Sequence, residues 1–390
     1  MEFSILMPCL NEAETLAACI EKAQDWLQRT GALGEIIIAD NGSHDGSQEI
    51  ARKHGARVVD VALRGYGEAL YQGAMAARGE YIIMGDSDGS YDFGALDGFT
   101  EKLVQGYDLV VGNRFLGGIS HGAMPWKNRY IGNPLLTRIG RLLFNCPVKD
   151  MHCGLRGFSK QAFLRMDLRT TGMEFASEMI IKASLLDMRI AEVPTRLSKD
   201  GRTRAPHLRP WRDGWRHFRF MLLFSPRWLF LIPGLITMFV SIFFYLAIFA
   251  GQLKIGGVVF DINTLFYAQT GITVGLIAIM LGLAVRMFGM YEGLLKKNRM
   301  FETLRAKPIL EIGGILGIAL AIFGGYLGVR LLKNWSSAGF GVLQQGIFLK
   351  TVSLSTLSMT LGGIIFLMSL IMGFLALPIR RDVEKNHEGP

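Results

Sequence analysis

Apolar and polar residues alternate in short blocks from the start of the chain to about Trp211, then give way to long apolar runs from Leu229 onward. In the first region Phe3–Met7, Glu35–Ala39, Arg57–Val61, Tyr81–Met84 and Asp108–Val111 are short apolar runs bounded by turn residues, the signature of buried strands. Ala191–Pro194 reads the same way. Between the strands, Ala13–Gln28 places Leu16, Ile20, Ala23 and Leu27 on one helical face, and Gln48–His54 and Gly67–Ala77 also have helical spacing. Strands alternating with helices predict βαβ units, an α/β domain on a mostly parallel sheet. Such sheets bind ligands at the carboxyl ends of their strands. The polar clusters fall there, after Met7, Ala39, Met84 and Val111.

In the second region Leu229–Phe249, Phe266–Met287, Ile309–Leu332 and Leu354–Leu377 each approach the ~20 residues that cross a bilayer core. A soluble bundle could hardly bury four such runs with so few charges. Lys296, Lys297, Arg299, Arg305 and Lys307 sit between the second and third, and Arg380, Arg381 and Lys385 follow the fourth. Only Lys254 lies between the first and second, while Lys333 and Lys350 put a weaker basic count after the third. The positive-inside rule then places both termini in the cytoplasm. Just before the first run, Trp211, Trp215, Phe218 and Leu222 recur at helical spacing beside Arg212, Arg216 and Arg219. This helix is expected to lie in the membrane interface with its guanidiniums on lipid phosphates; the plainer alternative is an amphipathic helix packed on the preceding domain. The expected division is 1–198 catalytic domain, 199–228 basic juxtamembrane segment, 229–378 four-helix membrane domain and 379–390 cytoplasmic tail.

Composition agrees with this picture. Half the residues are hydrophobic, and the net charge of +9 gathers at the edges of the apolar runs, which suits a membrane surface better than nucleic acid. The four cysteines, Cys9, Cys19, Cys146 and Cys153, have no Cys-x-x-Cys spacing, which argues against a zinc site or redox pair. The start of the chain has no basic segment, and Asn11 and Glu12 interrupt its apolar run, which argues against a cleaved signal peptide.

The chemistry-bearing residues follow the strands. Asp86 and Asp88, directly after Tyr81–Met84, set two carboxylates at i and i+2 where both reach one divalent ion. Mg²⁺ or Mn²⁺ prefers such oxygen ligands and completes its shell with substrate phosphates. Turn capping is the plainer reading of the same pair. Pro8–Glu12 and Asp40–Ser47 are turns between strand and helix, in which Asp40 suits a base imide and Asn11 or Glu12 a ribose or base. Helix capping by Asp45 or Ser47 explains them equally well. Gly65, in Arg64–Ala69, suits a loop that brings backbone amides to phosphate.

Taken in order, Pro8–Glu12, Asp40–Ser47, Gly65–Ala69 and Asp86–Asp88 resemble the N-terminal half of a family 2 glycosyltransferase, most closely the polyprenyl-phosphate group typified by dolichol-phosphate mannose synthases and undecaprenyl-phosphate glucosyltransferases. The resemblance runs from Met1 to about Arg204 and implies a GT-A fold, a nucleotide-sugar donor (UDP- or GDP-linked), a divalent metal and a polyprenyl-phosphate acceptor. It implies that Pro8, Leu10, Asn11, Glu12 and Asp40 hold the nucleoside. Asp86 and Asp88 would hold metal and diphosphate, with Ser90 at the place of a third metal contact. Arg114, in Gly112–Phe115, and Arg129 would face the lipid phosphate, with Asn133 beside them. Asp150 would sit near the sugar, and Arg156 would touch the donor phosphates, although Leu155 stands where relatives carry an aromatic. Arg202, in the basic segment Ser198–Arg204, would belong to a lid over the diphosphate. His152 reads as a wall residue, and Glu174 and Glu178 as either sugar ligands or a salt-bridged helix face.

The expected enzyme transfers a sugar, by default from UDP-glucose, with inversion, at the cytoplasmic face of a cell inner membrane. Because a lipid phosphate is already anionic, no general base is required. Partners are then the donor, the lipid and the membrane, with self-association left open. A processive polysaccharide synthase is the alternative enzyme, but Phe224 stands where its Gln-x-x-Arg-Trp motif needs glutamine before Arg227-Trp228. A lipid-sugar transporter with a degenerate domain is the alternative from another class.

Overall fold

The computed structural model describes residues 2–203, 210–251, 253–292, 295, 308–341 and 345–377. The chain forms two compact units, Met1–Met221 and Leu222–Pro390.

The first unit is built on strands β1 (Phe3–Cys9), β2 (Gly34–Asp40), β3 (Arg57–Asp60), β4 (Tyr81–Met84), β5 (Leu109–Asn113), β6 (Arg156–Ser159) and β7 (Ile190–Pro194). They form one sheet in the order β3-β2-β1-β4-β6-β5-β7. All pairs are parallel except those of β6, which runs against β4 and β5. The expected mostly parallel α/β domain is therefore present, with β6 as a strand the sequence pattern had not disclosed. Residues Ile5–Met7 and Ile37–Ala39 are buried, as strands covered on both faces require.

Helices α1 (Leu16–Thr30), α2 (Ser47–Lys53), α3 (Tyr66–Ala76) and α4 (Asp97–Val104) connect the early strands. The amphipathic face of α1 buries Leu16, Cys19, Ile20, Ala23 and Trp26, and the helix stops at Gly31, whose φ of 66° is the usual left-handed ending. Later helices are α5 (Arg114–Gly117), α6 (Asn133–Phe144, entered through a π-helical turn at Asn128–Gly132), α7 (Lys160–Met166), α8 (Phe175–Leu185) and α9 (Pro210–Leu223). The chain steps outward from β1 to β3, then returns across to β4 on the other flank of β1. That reversal opens a crevice beyond the carboxyl ends of β1 and β4.

On α9, His217 and Met221 are buried, and the His217 ring bonds Ser177 on α8 at 2.8 Å. Trp215 is 61% exposed, so the indole the sequence assigns to a membrane-facing stripe does point away from the packed face.

The second unit holds four helices long and apolar enough to cross a membrane among the described residues: Arg227–Ala250, Ile262–Tyr291, Ile309–Ser337 and Gly346–Ala376. The first comprises a π-helical turn and α10 (Ile232–Ala250); the others are α11 (Ile262–Tyr291), α12 (Ile309–Ser337) and α13 (Gln345–Ala376). All four expected runs are helical and longer than the apolar text alone implied. Between α10 and α11 a small hairpin, β8 (Leu253–Ile255) and β9 (Val258–Phe260), turns at Gly256 and Gly257, with φ of 55° and 83°. That geometry favours glycine at both positions.

Small residues let α12 and α13 meet backbone to backbone. A Cβ on Gly317 would lie 2.7 Å from the Gly362 carbonyl, and one on Gly324 would lie 2.6 Å from that of Ser355. Between α11 and α13, Ser353 donates to Gln269 at 2.7 Å and Gln269 donates to Thr356 at 2.9 Å. The basic loop 296–307 and the tail 378–390, which carry the orientation argument, lie outside the described residues.

Candidate active site

Three loops at the crevice are sewn together by short polar side chains. After β1 the chain takes a left-handed turn at Asn11 (φ 59°), whose N–H donates to Ser43 Oγ at 2.8 Å and whose Oδ1 accepts from His44 N–H at 2.8 Å. The Glu12 N–H donates to Ser47 Oγ (2.9 Å) and the Ala13 N–H to Asp45 Oδ2 (2.9 Å). Asp45 also accepts from Ser47 N–H, a turn that leads into α2, but the N-cap of that helix is Gly46 and not Asp45 or Ser47, and no side chain caps it. Across the switch point, Ser87 Oγ donates to the Pro8 carbonyl and Thr15 Oγ1 to the Ser87 carbonyl, each at 2.7 Å. The loops after β1, β2 and β4 thus form one framework.

Asp40 ends β2. Its Oδ2 accepts from Gly42 N–H, Ser43 N–H and Gln48 Nε2, while Oδ1 is buried with no hydrogen-bond partner among the described residues. Burial alone would raise this carboxyl, but the Ser43 and Gln48 hydrogen bonds outweigh it and hold the group below the ordinary range. An ionised carboxylate with one unsatisfied oxygen is suited to a donor from a ligand. Nearby, Asn41 Oδ1 accepts from Gly65 N–H at 2.7 Å and its Nδ2 donates to the Leu63 carbonyl at 2.7 Å, fixing the approach to α3. Gly65 is required by crowding: a Cβ there would lie 2.2 Å from the Thr171 carbonyl oxygen.

At the end of β4, Asp86 Oδ1 accepts from the Tyr66 hydroxyl at 2.8 Å. Burial and the neighbouring Asp88 charge push the Asp86 carboxyl up to about 6, against the pull of Tyr66, Arg202 and Arg114. Burial and Asp86 drive the Tyr66 phenol well above its ordinary range, so it stays a hydroxyl donor. Asp86 also needs Gly154, where a Cβ would stand 2.5 Å from Asp86 Oδ2, and the Gly154 N–H is held by Tyr91 Oη at 2.8 Å. The sequence reading gave Tyr66, Tyr91 and Gly154 no role, though Tyr66 lies inside the Gly65–Ala69 motif, Tyr91 beside Ser90 and Gly154 between Asp150 and Arg156.

Asp88 Oδ1 accepts from Ser90 N–H (3.0 Å), and its Oδ2 accepts from Arg202 Nη2 at 2.8 Å. Arg202 also reaches Glu12 at 3.1 Å and Asp200 at 3.1 Å. The basic segment after β7 therefore does return to the Asp86–Asp88 loop, and one guanidinium sits among three carboxylates.

Other expected site residues lie elsewhere. Asp150 is fully buried and grips Arg114: its Oδ2 accepts from Arg114 N–H and Nε, and its Oδ1 accepts from Nη2 at 2.7 Å. Both carboxylate oxygens are spent on that pair, so Asp150 positions Arg114 and does not face a sugar. Arg156 is likewise corrected. It is fully buried, donating to the carbonyls of Cys153 and Met151 at 2.9 Å each and to that of Ala176. A guanidinium so engaged is a structural tie and not a phosphate ligand. Glu178 takes the salt-bridged reading, accepting from the Arg169 and Thr170 amides with Lys182 Nζ at 3.2 Å. His152 faces His217 edge-on with ring centroids 4.9 Å apart, and burial, then His217, keeps it neutral. Arg129 lies over the Tyr130 ring at 5.5 Å, and Asn133 Nδ2 contacts Met124 Sδ at 3.4 Å.

A cavity of about 450 Å³ gathers the first set of residues: Pro8, Leu10, Asn41, Gly65, Tyr66 and Asp86 line it, together with Arg64, Arg212 and Arg216. The last two belong to α9, whose arginines the sequence assigned to lipid headgroups. Carboxylates and arginines around one crevice suit a polyphosphate ligand bridged by a hard cation. Among the described residues no three acidic, histidine or cysteine side chains cluster to hold a metal by themselves.

Residues 4–166 match the model for glycosyl transferase family 2, and residues 283–376 match that for the family's C-terminal transmembrane region. The chain is 35% identical over 347 residues to the low-salt glycan biosynthesis hexosyltransferase Agl6 of Haloferax volcanii, covering 87% of this chain and 81% of that protein. It is 29% identical over 194 residues to a dolichyl-phosphate hexose transferase of the same organism, covering 50% of this chain and 81% of that one. A solved structure, glucosyl-3-phosphoglycerate synthase from Mycobacterium tuberculosis, is similar at 24% identity and a TM-score of 0.43, over 57% of this chain and 77% of that chain.

Proposed function

Since the chain belongs to glycosyl transferase family 2 and carries that family's transmembrane region, it is a membrane glycosyltransferase, and we propose that it moves one hexose from a nucleotide-sugar to a polyprenyl phosphate, with inversion, at the cytoplasmic face. The dolichyl-phosphate hexose transferase among its relatives supports the acceptor class, and UDP-glucose is the first donor to try. The observation that carries the reading is the Asp86–Asp88 pair, set at the switch point beside a nucleoside-sized cavity and held by Tyr66 and Arg202.

A divalent ion fits this donor set. The raised Asp86 carboxyl reflects burial first and the neighbouring Asp88 charge second, and a hard cation on Asp86 and Asp88, with Ser90 adjacent, would offset both. Mg²⁺ or Mn²⁺ bound there would neutralise the diphosphate as it leaves. The chain's own residues do the rest. Pro8, Leu10, Asn11, Glu12 and Asp40 hold the nucleoside, and Gly65 lets the start of α3 come close to the phosphates. Arg202 exchanges its carboxylate partners for the donor. Arg114, oriented by Asp150, works with Arg129 and Asn133 to present the lipid phosphate. One phosphate oxygen attacks the anomeric carbon as the bond to the diphosphate breaks, and no proton need be removed.

The test is transfer from labelled UDP-glucose or GDP-mannose to a short polyprenyl phosphate by the full-length protein in lipid vesicles. One sugar per lipid, lost on adding EDTA, is expected. Full speed in EDTA would refute the metal, an elongating polymer would point to a synthase, and absence of transfer to lipid from any donor would refute the function.

A further inference from the structure

We propose that Arg212 and Arg216 of α9 clamp the donor's diphosphate, which makes the helix that leads into the membrane unit a wall of the donor site. The inference rests on the reading above and adds residues to that site.

The two arginines stand at i and i+4, so both project from one side of α9. Both line the cavity that contains Asp86 and Tyr66, as does Arg64. Arg219, nearly one turn further along the helix, is absent from that lining. The buried residues His217 and Met221 fix α9 through the Ser177 bond and the Gly140 contact, where a Cβ would stand 3.3 Å from Met221 Sδ. The arginines are therefore presented by a packed helix.

Charge balance gives them a task. Arg202 pairs with Glu12, Asp88 and Asp200, and its charge also acts on Asp86, so four carboxylates share this one paired guanidinium among the described residues. Adding one divalent ion still leaves one negative charge, and a sugar-linked nucleoside diphosphate brings about two more. Three arginines on the cavity wall restore neutrality, and guanidinium suits paired phosphate oxygens better than a point charge does. Arg114, the arginine assigned to the acceptor, is absent from this lining and is engaged by Asp150, so the α9 pair meets the donor's phosphates and not the lipid's.

The experiment uses the full-length protein in detergent and measures binding of UDP, GDP and inorganic pyrophosphate by calorimetry, with Mn²⁺ and separately with EDTA. Variants are R212Q, R216Q, their double, the double lysine variant, and R219Q as a control on the same helix. The double glutamine variant is expected to bind pyrophosphate and the preferred nucleoside diphosphate roughly tenfold or more weakly in both conditions, with partial recovery in the lysine variant and no change in R219Q. Affinities within twofold of wild type would overturn the proposal, as would equal loss in R219Q, weakening confined to the KM for polyprenyl phosphate, or a wild-type protein that binds none of the three probes. If the double variant unfolds, R212Q and R216Q singly carry the same test. Loss of pyrophosphate binding in a protein that transfers no sugar to lipid would sink the enzymatic reading and leave the clamp standing.

Discussion

Asp86 shares a crevice with Asp88, accepts the Tyr66 hydroxyl, and has its carboxyl pushed up to about 6. A metal must displace that proton in acid, so Mn²⁺ affinity in the presence of UDP is expected to fall as pH drops below about 6 and to level off above it; titration of bound Mn²⁺ by electron paramagnetic resonance with UDP present checks this. The sign for the fold is opposite. The folded state holds this proton more tightly than the unfolded chain, so the metal-free protein loses stability as pH rises from the ordinary carboxylate range to about 6. Replacing Asp88 with alanine removes a proposed metal oxygen and one partner of Arg202, and turnover should fall roughly a hundredfold or more in the transfer assay. Gly154→Ala aims a methyl at Asp86 Oδ2 from 2.5 Å. It should cost about 1–3 kcal/mol in chemical denaturation and weaken Mn²⁺ binding. Asp86, Asp88 and Asp40 stood out as candidates because each sits in a polar cluster at a strand end, and Arg202 through the family resemblance. Their partners did not: Tyr66 lies 20 residues from Asp86 and Asp150 lies 36 from Arg114, and no local pattern records such pairings.

At the scale of elements, β4 was readable to the residue and β6 was not. Tyr81–Met84 is an apolar run between turn residues; Arg156–Ser159 is Arg-Gly-Phe-Ser, too short and too mixed to declare itself. It becomes a strand because β4 and β5 supply hydrogen bonds on both sides and because Arg156 ties the preceding loop to α8. Arg156→Met would strip the loop carbonyls of Met151 and Cys153 of their guanidinium donor and cut the tie to Ala176 on α8, and should destabilise the first unit by about 3–5 kcal/mol, measured by hydrogen exchange in β6. The β8–β9 hairpin escaped notice for a related reason, since its three-residue strands are announced only by Gly256-Gly257. The α9 stripe shows the reverse case: its helix was legible, but periodicity cannot say which neighbour an arginine will meet.

For the whole molecule, the expected orientation puts residues 296–307 and the tail on one side of the membrane and the β8–β9 hairpin on the other. All four native cysteines are buried, so the single substitutions Lys297→Cys and Gly256→Cys introduce thiols that can be labelled over a low background. In sealed inside-out vesicles, the Lys297→Cys protein should react with an impermeant maleimide and the Gly256→Cys protein only after detergent; the converse pattern would reverse the topology. The contact of Arg202 with Asp88 and Glu12 has a consequence at this scale as well. If the proposed cation binds at this loop, the resting protein carries a built-in stand-in for it, and free ions meet seats already taken. Only a visitor that offers Arg202 a better anion can vacate them, so the nucleotide-sugar and its ion are expected to board together, and an idle transferase should neither hoard manganese nor squander donor on water.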